Sequence, residues 1–394
     1  MHRYYFDNAA TTCCNEKVLE EMLPYFSKAY GNPSSIHSFG RDAKKAVSKA
    51  REQVAHLLKA NPTQILFTSS GTEADNLAVF NSLKPEGKKH IITSAIEHPA
   101  ILEPFKELEK KGYRVTYLPV DNEGIVSEQA LIEALCEETS FVSIMHANNE
   151  VGVIQPIERF TQIVREKEKL FNTRILFHTD AVQTFGSISL DVQKLDVDLL
   201  SCSSHKIYGP KGAGALFIKH RSMITPSLFG GGQERNLRSS TENVPAIVGF
   251  GKAAEMAEQN LLEVQKEISF LRDYLIKTVK SKISDVMVNG SLENRLPGNA
   301  NLSFAFVEGE SILMNLDLKG FAVSTGSACS SGALEPSHVL LSMGFSHERA
   351  HGSIRFSLGK MNTKEEIDHL IHELVPIIDR LRKMSPLYKN EGKN

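Results

Sequence analysis

The sequence carries almost no net charge, no apolar run long enough to cross a bilayer and few cysteines, and each shortage removes a class of protein. Lysine and arginine total 45 against 47 aspartates and glutamates, a formal net charge of -2. That leaves no basic excess of the kind phosphate backbones require, so direct nucleic-acid binding is not expected. The start, Met1-His2-Arg3-Tyr4-Tyr5-Phe6-Asp7, lacks the apolar core of a secretory leader, and later apolar runs are too short to span a membrane. A cytoplasmic protein with no membrane role is the expectation. The five cysteines (Cys13, Cys14, Cys136, Cys202, Cys329) are odd in number and lack CxxC spacing, which argues against a disulfide framework and against structural zinc. No internal repeat is visible, and low complexity is confined to the polar tail Lys389 to Asn394.

What is present is an ordinary globular composition, 41% hydrophobic and 23% charged, on a chain of 394 residues, longer than one core usually supports. From residue 60 short apolar runs alternate with amphipathic stretches. Strands are predicted over Gln64–Ser69, His90–Ile96, Arg114–Val120, Phe141–Ala147, Ile175–Ala181 and Leu199–Ser203. Helices are predicted between them over Glu73–Leu83, Pro99–Lys111, Ser127–Glu137 and Ile157–Lys169. This is the pattern of βαβ units around a mainly parallel sheet, whose ligands gather at the carboxyl ends of the strands. The α/β class follows, with a large domain over 15–255. One long connecting helix, Ala253 to Ser281, leads into a smaller α+β domain over 256–394, against which residues 1–14 pack.

Several strand ends carry chemistry. Lys206 lies between an apolar run and the turn Tyr208-Gly209-Pro210, a setting that suits a Schiff-base lysine but also an ordinary turn lysine. Ser70-Gly71-Thr72-Glu73 can form a phosphate cradle at a helix start, with Thr72 as cap, or a plain N-cap. Asp180 ends a buried strand, where it either caps a helix or faces a pyridinium nitrogen, with Gln183 nearby. His98 follows a strand directly and suits ring stacking or proton transfer, though loop histidines are commonly inert. Arg355, in an alternating strand-like run, suits a carboxylate, from a substrate or from the protein itself. Cys329 stands in the small-residue run Ser324-Thr325-Gly326-Ser327-Ala328-Cys329-Ser330-Ser331-Gly332, expected to be a mobile loop with an accessible thiol. Cys202 and Cys136 read as structural, while Cys13 and Cys14 stay ambiguous. A reactive lysine, a ring-nitrogen aspartate, a phosphate cradle, a stacking histidine and a carboxylate-binding arginine together specify pyridoxal 5'-phosphate and an amino-acid substrate.

With these residues the chain resembles the cysteine desulfurase family of NifS/IscS type, in the class V branch of the aspartate aminotransferase fold. The matches run in order through Asp7-Asn8-Ala9-Ala10-Thr11-Thr12, Gly71-Thr72-Glu73, Glu97-His98, His146-Ala147-Asn148-Asn149-Glu150, Asp180-Ala181-Val182-Gln183, His205-Lys206 and Arg238-Ser239-Ser240-Thr241. They continue to the Cys329 loop and so cover essentially the whole chain. The resemblance implies PLP fold type I, with Lys206 as covalent anchor of the cofactor, Asp180 at the ring nitrogen and His98 on the ring. Gln183 and Asn149 would lie near the ring hydroxyl and substrate. Gly71, Thr72, Ser203, Ser204 and His205 would lie at the phosphate, with Thr241 reaching over from the second subunit of a homodimer. Arg355 would hold the carboxylate of L-cysteine.

The implied reaction has Lys206 remove the substrate's α-proton and the Cys329 thiolate take its sulfur. Alanine leaves, and a persulfide remains for an iron–sulfur scaffold or another sulfur acceptor. No resident metal is implied beyond Cys329 as a transient ligand of an iron–sulfur cluster. Two departures stand beside key positions: Ser204 where the family usually has glycine or alanine, and Ser240 where it has glycine. Ser240 would disturb the site if its backbone required positive φ. A selenocysteine lyase, an aminotransferase of this fold and a non-catalytic adaptor in iron–sulfur assembly are the competing readings.

Overall fold

The computed structural model describes residues 3–83, 87–325, 336–386 and 388. Their strands are β1 (Tyr4–Tyr5), β2 (Ile65–Thr68), β3 (His90–Ser94), β4 (Arg114–Leu118), β5 (Thr139–Ser143), β6 (Leu176–Asp180), β7 (Leu199–Ser203), β8 (Gly214–Ile218), β9 (Val286–Val288), β10 (Asn299–Phe304), β11 (Phe321–Ala322) and β12 (Ser353–Ser357). Seven of them form one sheet in the order β2-β8-β7-β6-β5-β3-β4. All neighbours are parallel except around β8, which opposes both β7 and β2. The sequence reading lacks β8, because its five residues directly follow the glycine-rich turn after Lys206 and carry no alternation. Since only β8 is reversed, β2, β3, β6 and β7 deliver their carboxyl ends to one edge.

Adjacent residues of a strand point to opposite faces, and both faces of this sheet are buried. In β5, Phe141 belongs to a core with Leu66, Ile91, Leu199 and Phe105, whereas Val142 belongs to another with Val47, Val54, Phe177, Phe217 and Phe250. Burial on both sides explains why these strands read as continuous apolar runs. A separate core gathers Phe6, Leu302, Phe304, Ile354, Phe356, Leu370 and Leu374 around the antiparallel sheet β9-β10-β12 and the Lys364–Met384 helix. β1 pairs with β11 beside it. A fourth cluster, including Ile96, Met145 and Val151 with Val339, Leu340 and Met343, ties the two regions together near the strand ends.

The single connecting helix expected over 253–281 is two helices, Val244–Gln259 and Leu261–Lys282, broken at Asn260 with φ -129 and ψ 22. The reason lies in what each half packs on. Ala253, Ala254 and Ala257 belong to the large-sheet core, but Leu275, Ile276 and Val279 belong to the core around the small sheet. One straight apolar stripe cannot face both. No helix among the described residues is long and apolar enough to cross a membrane.

Candidate active site

The strand ends open into a cleft of about 280 Å³. Gly71, Thr72, His98, Asn149, Asp180, Gln183, Ser203, His205, Lys206 and Arg355, residues up to 284 positions apart (355 − 71), all line it. At one end β2 runs into the Gly71–Ser82 helix. The cap is Ser70, not Thr72: the Glu73 N–H donates to Ser70 Oγ at 3.1 Å. Thr72 therefore sits at the second helical position, with its side chain among the cleft's lining groups. Helix N–H groups, the Thr72 hydroxyl and the buried Ser203 Oγ, which has no hydrogen-bond partner, make an anion cradle. A Cβ on Gly71 would fall 2.7 Å from Val182 Cγ2 and 3.5 Å from Ser203 Cβ, so glycine keeps this cradle open.

Asp180 ends β6 and accepts the Val182 N–H at 2.8 Å. Burial pushes its carboxyl up to about 6, with the Val182 hydrogen bond and the Lys206 ammonium pulling the other way. It is still largely ionised at neutral pH. His98 caps the Pro99–Lys110 helix, its Nδ1 accepting the Ala100 N–H at 3.1 Å. Burial first, then Lys206 and His338, lower its pKa to about 4, so the ring is neutral with its proton on Nε2. His205 is likewise lowered to about 4 by burial, Lys206 and Lys211, and its Nδ1 lies 3.1 Å from Thr11 Oγ1. Lys206 Nζ donates to the carbonyl oxygens of Ala9 at 2.5 Å and Ala10 at 2.7 Å. Gln183 donates to the Ala9 oxygen as well, at 3.1 Å.

Arg355 is 2% exposed. Its Nη1 donates to the Asn149 carbonyl at 2.9 Å and its Nη2 to Asp7 Oδ1 at 2.8 Å. The buried Nε has no partner, which leaves a donor for a substrate carboxylate. The Asn149 loop is itself fixed by Asn148, whose Oδ1 accepts the N–H groups of Glu150 at 2.8 Å and Val151 at 2.9 Å.

Two expected site residues fall elsewhere. Ser204 is fully buried and does not line the cleft. Its Oγ is turned toward Gly209, where an added Cβ would lie 2.1 Å away, so its hydroxyl is packed against that turn. Thr241 is exposed and outside the cleft of its own chain. Ser240 keeps φ out of the left-handed region, so serine there brings no backbone strain. Cys329 lies outside the described residues. Cys202 is buried, which raises its pKa, while Cys13 and Cys14 are exposed. Asp7 and the Ala9 and Ala10 carbonyls are functional groups that the sequence reading did not assign. The motif Asp7-Asn8-Ala9-Ala10 was visible, but nothing local pairs it with positions 206 or 355.

The lining fits pyridoxal 5'-phosphate: an amine, an anion for the ring nitrogen, a neutral imidazole, an orphaned hydroxyl in the anion cradle and an orphaned guanidinium N–H. Comparisons with known proteins agree. The aminotransferase class-V family model matches residues 4–370. A cysteine desulfurase IscS of Dictyoglomus turgidum is 52% identical over 395 residues, covering 99% of this chain and 98% of that protein. A NifS-like protein of solved structure superposes with a TM-score of 0.90 at 42% identity, over 96% of this chain and all of the other. A structure described as SspA in complex with cysteine matches with a TM-score of 0.78 at 35% identity, over 92% of this chain and 100% of that one.

Proposed function

Because the chain belongs to the aminotransferase class-V family and is a pyridoxal-phosphate-dependent cysteine desulfurase of fold type I, we propose that the cleft residues divide the reaction as follows. When bound, the cofactor supplies an electron sink for the negative charge left at the substrate α-carbon. Thr72, Ser203 and His205 would hold its phosphate, and Asp180 would keep its ring nitrogen protonated. His98, neutral near pH 7, would meet the ring without adding charge. Arg355 receives the L-cysteine carboxylate on its free Nε, and Asn149 sets the guanidinium through its carbonyl. Lys206 anchors the cofactor and afterwards carries the α-proton, its Nζ steadied by the Ala9 and Ala10 oxygens.

Cys329 is the sulfur acceptor in this reading. Its thiolate attacks the substrate Sγ as the Cβ–Sγ bond breaks. The electron pair stays with the carbon fragment, which takes a proton and leaves as alanine. Cys329 is left as a persulfide that passes its outer sulfur to a scaffold for iron–sulfur clusters or another acceptor in the cytoplasm. A homodimer completes the site, with Thr241 reaching the partner's phosphate end. Its exposure outside its own cleft supports this, as do the exposed apolar side chains of Leu23, Phe26, Tyr30 and Ile36. We read the chain as a large domain to about residue 255 and a small one beyond, with the N-terminal residues joined to the latter.

The convergence of Lys206, Asp180, His98 and the orphaned Ser203 Oγ and Arg355 Nε in one cleft carries this reading. Supplying L-cysteine with radiolabelled sulfur tests it. The label is expected on the wild-type protein, with alanine released in equal amount and no keto-acid requirement. Cys329→Ser is expected to take up no label and release no sulfide, and full sulfide release by that variant refutes the assigned acceptor.

A further inference from the structure

Beside Asp180 lies a second buried carboxyl that the reaction described above does not use. Asp75 sits one turn into the Gly71–Ser82 helix, is 1% exposed and lines the cleft. Its Oδ1 has no hydrogen-bond partner. His178 Nε2 is 3.6 Å from that oxygen, but hydrogen-bonds Ser201 Oγ at 3.0 Å. His178 Nδ1 meets Ser143 Oγ at 2.9 Å. Sheet register assembles this row: Ser143 pairs with His178, and Asp180 pairs with Ser201. His178 and Asp180, two residues apart on β6, face the same side.

The carboxyls of Asp180 and Glu97 both bear on Asp75, and Glu97, whose pKa burial pushes up to about 8, is itself mostly protonated at pH 7. On its own helix Glu73 is turned away to Arg238. From β6 and β7, burial lowers the pKa of His178 to about 3, which leaves its ring neutral, and raises that of the Cys202 thiol. Across the cleft the Lys206 ammonium bears on Asp180, and Arg355 is paired with Asp7. Two adjacent buried carboxyls do not both ionise, and one of them keeps a proton. A proton that wandered onto Asp180 would remove the anion facing the ring nitrogen.

We propose that Asp75 is a positioning residue of the cofactor floor: it keeps the proton and so leaves Asp180 as the single anion at the ring nitrogen. Asp180 accepts the Val182 N–H at 2.8 Å, whereas Asp75 Oδ1 accepts no hydrogen bond, so the negative charge settles on Asp180 and the proton on Asp75. The assignment rests on the reading that Asp180 meets the ring nitrogen, whereas the location of the proton can be measured without cofactor.

Infrared spectra of the cofactor-free protein, labelled with carboxyl-¹³C aspartate at pH 7, test it directly. The difference between wild type and Asp75→Asn is expected to show loss of a carboxylic-acid band, and loss of a carboxylate band overturns the proposal. If Asp75→Asn fails to fold, the labelled wild type must itself show an aspartate carboxylic-acid band at pH 7, and its absence overturns the proposal equally. Titration with pyridoxal phosphate supplies an independent readout. Asp75→Asn, whose amide donates as the acid does, is expected to bind within about threefold of wild type, and Asp180→Asn at least about tenfold more weakly. Equal weakening of both variants would make Asp75 an anion and end the proposal. Wild-type affinity in Asp180→Asn would instead refute the ring-nitrogen assignment, and the infrared result would still locate the proton.

Discussion

Replacing Asp7 separates a structural ion pair from a catalytic arginine, and the size of the effect follows from the geometry. The Arg355 side chain is 3% exposed and that of Asp7 20%, and they meet through one Nη2–Oδ1 contact of 2.8 Å. Removing one partner of a fully buried pair costs about 3–5 kcal/mol, because the other charge is left without compensation. Asp7 keeps some water and Arg355 keeps the Asn149 carbonyl, so Asp7→Ala belongs near the lower limit, about 3 kcal/mol. Asp7→Asn retains a neutral acceptor and loses only the charge-assisted part, about 1–1.5 kcal/mol. The assay is urea unfolding of the cofactor-free protein, with Arg355→Gln closing a double-mutant cycle in which a coupling of about 2 kcal/mol is expected. Saturating L-alanine should return part of the loss in Asp7→Ala, since its carboxylate can take the vacated donors and binding to the folded state alone stabilises it. A cost below about 0.5 kcal/mol for Asp7→Ala, or a cycle with no coupling, refutes the argument that Arg355 depends on Asp7.

Other consequences are as measurable. Gly71→Ala puts a methyl 2.7 Å from Val182 Cγ2 in the anion cradle; it should weaken pyridoxal phosphate binding at least about tenfold while costing about 1–3 kcal/mol of stability, and unchanged affinity by absorbance titration would place the phosphate elsewhere. Glu97 is buried, with Oε1 accepting from Ser94 at 2.6 Å and from Met145 N–H at 2.8 Å and with Oε2 unpartnered, and burial pushes its pKa up to about 8. The folded state therefore holds its proton more tightly than the unfolded chain, so this contribution to stability is complete at acid pH and is lost as pH rises to 8. Between pH 6.5 and 8 wild type should lose on the order of 2 kcal/mol more than Glu97→Gln; parallel stability curves would show Glu97 ionised in the folded protein.

How far the site was legible depends on what fixes each residue. Lys206, Asp180 and His98 could be found because each follows directly on an apolar run, and the ends of parallel strands share one edge. Thr72 was placed in the site but misread as the cap, because Ser70 and Thr72 are both good capping residues and only the loop geometry decides between them. Asp75 gave no signal: an acid inside a helical stretch normally marks its solvent face, and its burial comes from Ser201 and His178 on strands more than 100 residues later. The break at Asn260 was equally silent, since a polar residue within a charged amphipathic run reads as surface until the two cores are known.

The N-terminal segment shows why the remainder needed three dimensions. Asp7 holds Arg355, Asn8 donates to the Ser357 carbonyl at 2.8 Å, and the Ala9 and Ala10 carbonyls take the Lys206 ammonium. Thr12 donates to the His205 carbonyl at 2.9 Å and accepts the Tyr208 N–H at 2.8 Å. One stretch of six residues thus grips both the strand that carries Arg355 and the turn that carries Lys206. Residues 7–12 thereby tie β12 to the turn of Lys206 through a chain of hydrogen bonds. Tyr208, two residues after Lys206, holds a φ of 66°, and its hydroxyl accepts the Lys360 N–H at 2.6 Å. A left-handed tyrosine is costly unless its surroundings over-determine it, and here the hydrogen bonds from residues 12 and 360 do so from opposite sides. The amine's position is therefore fixed by both regions of the molecule at once, which is why no local reading of the Lys206 turn could separate an anchor from a surface lysine.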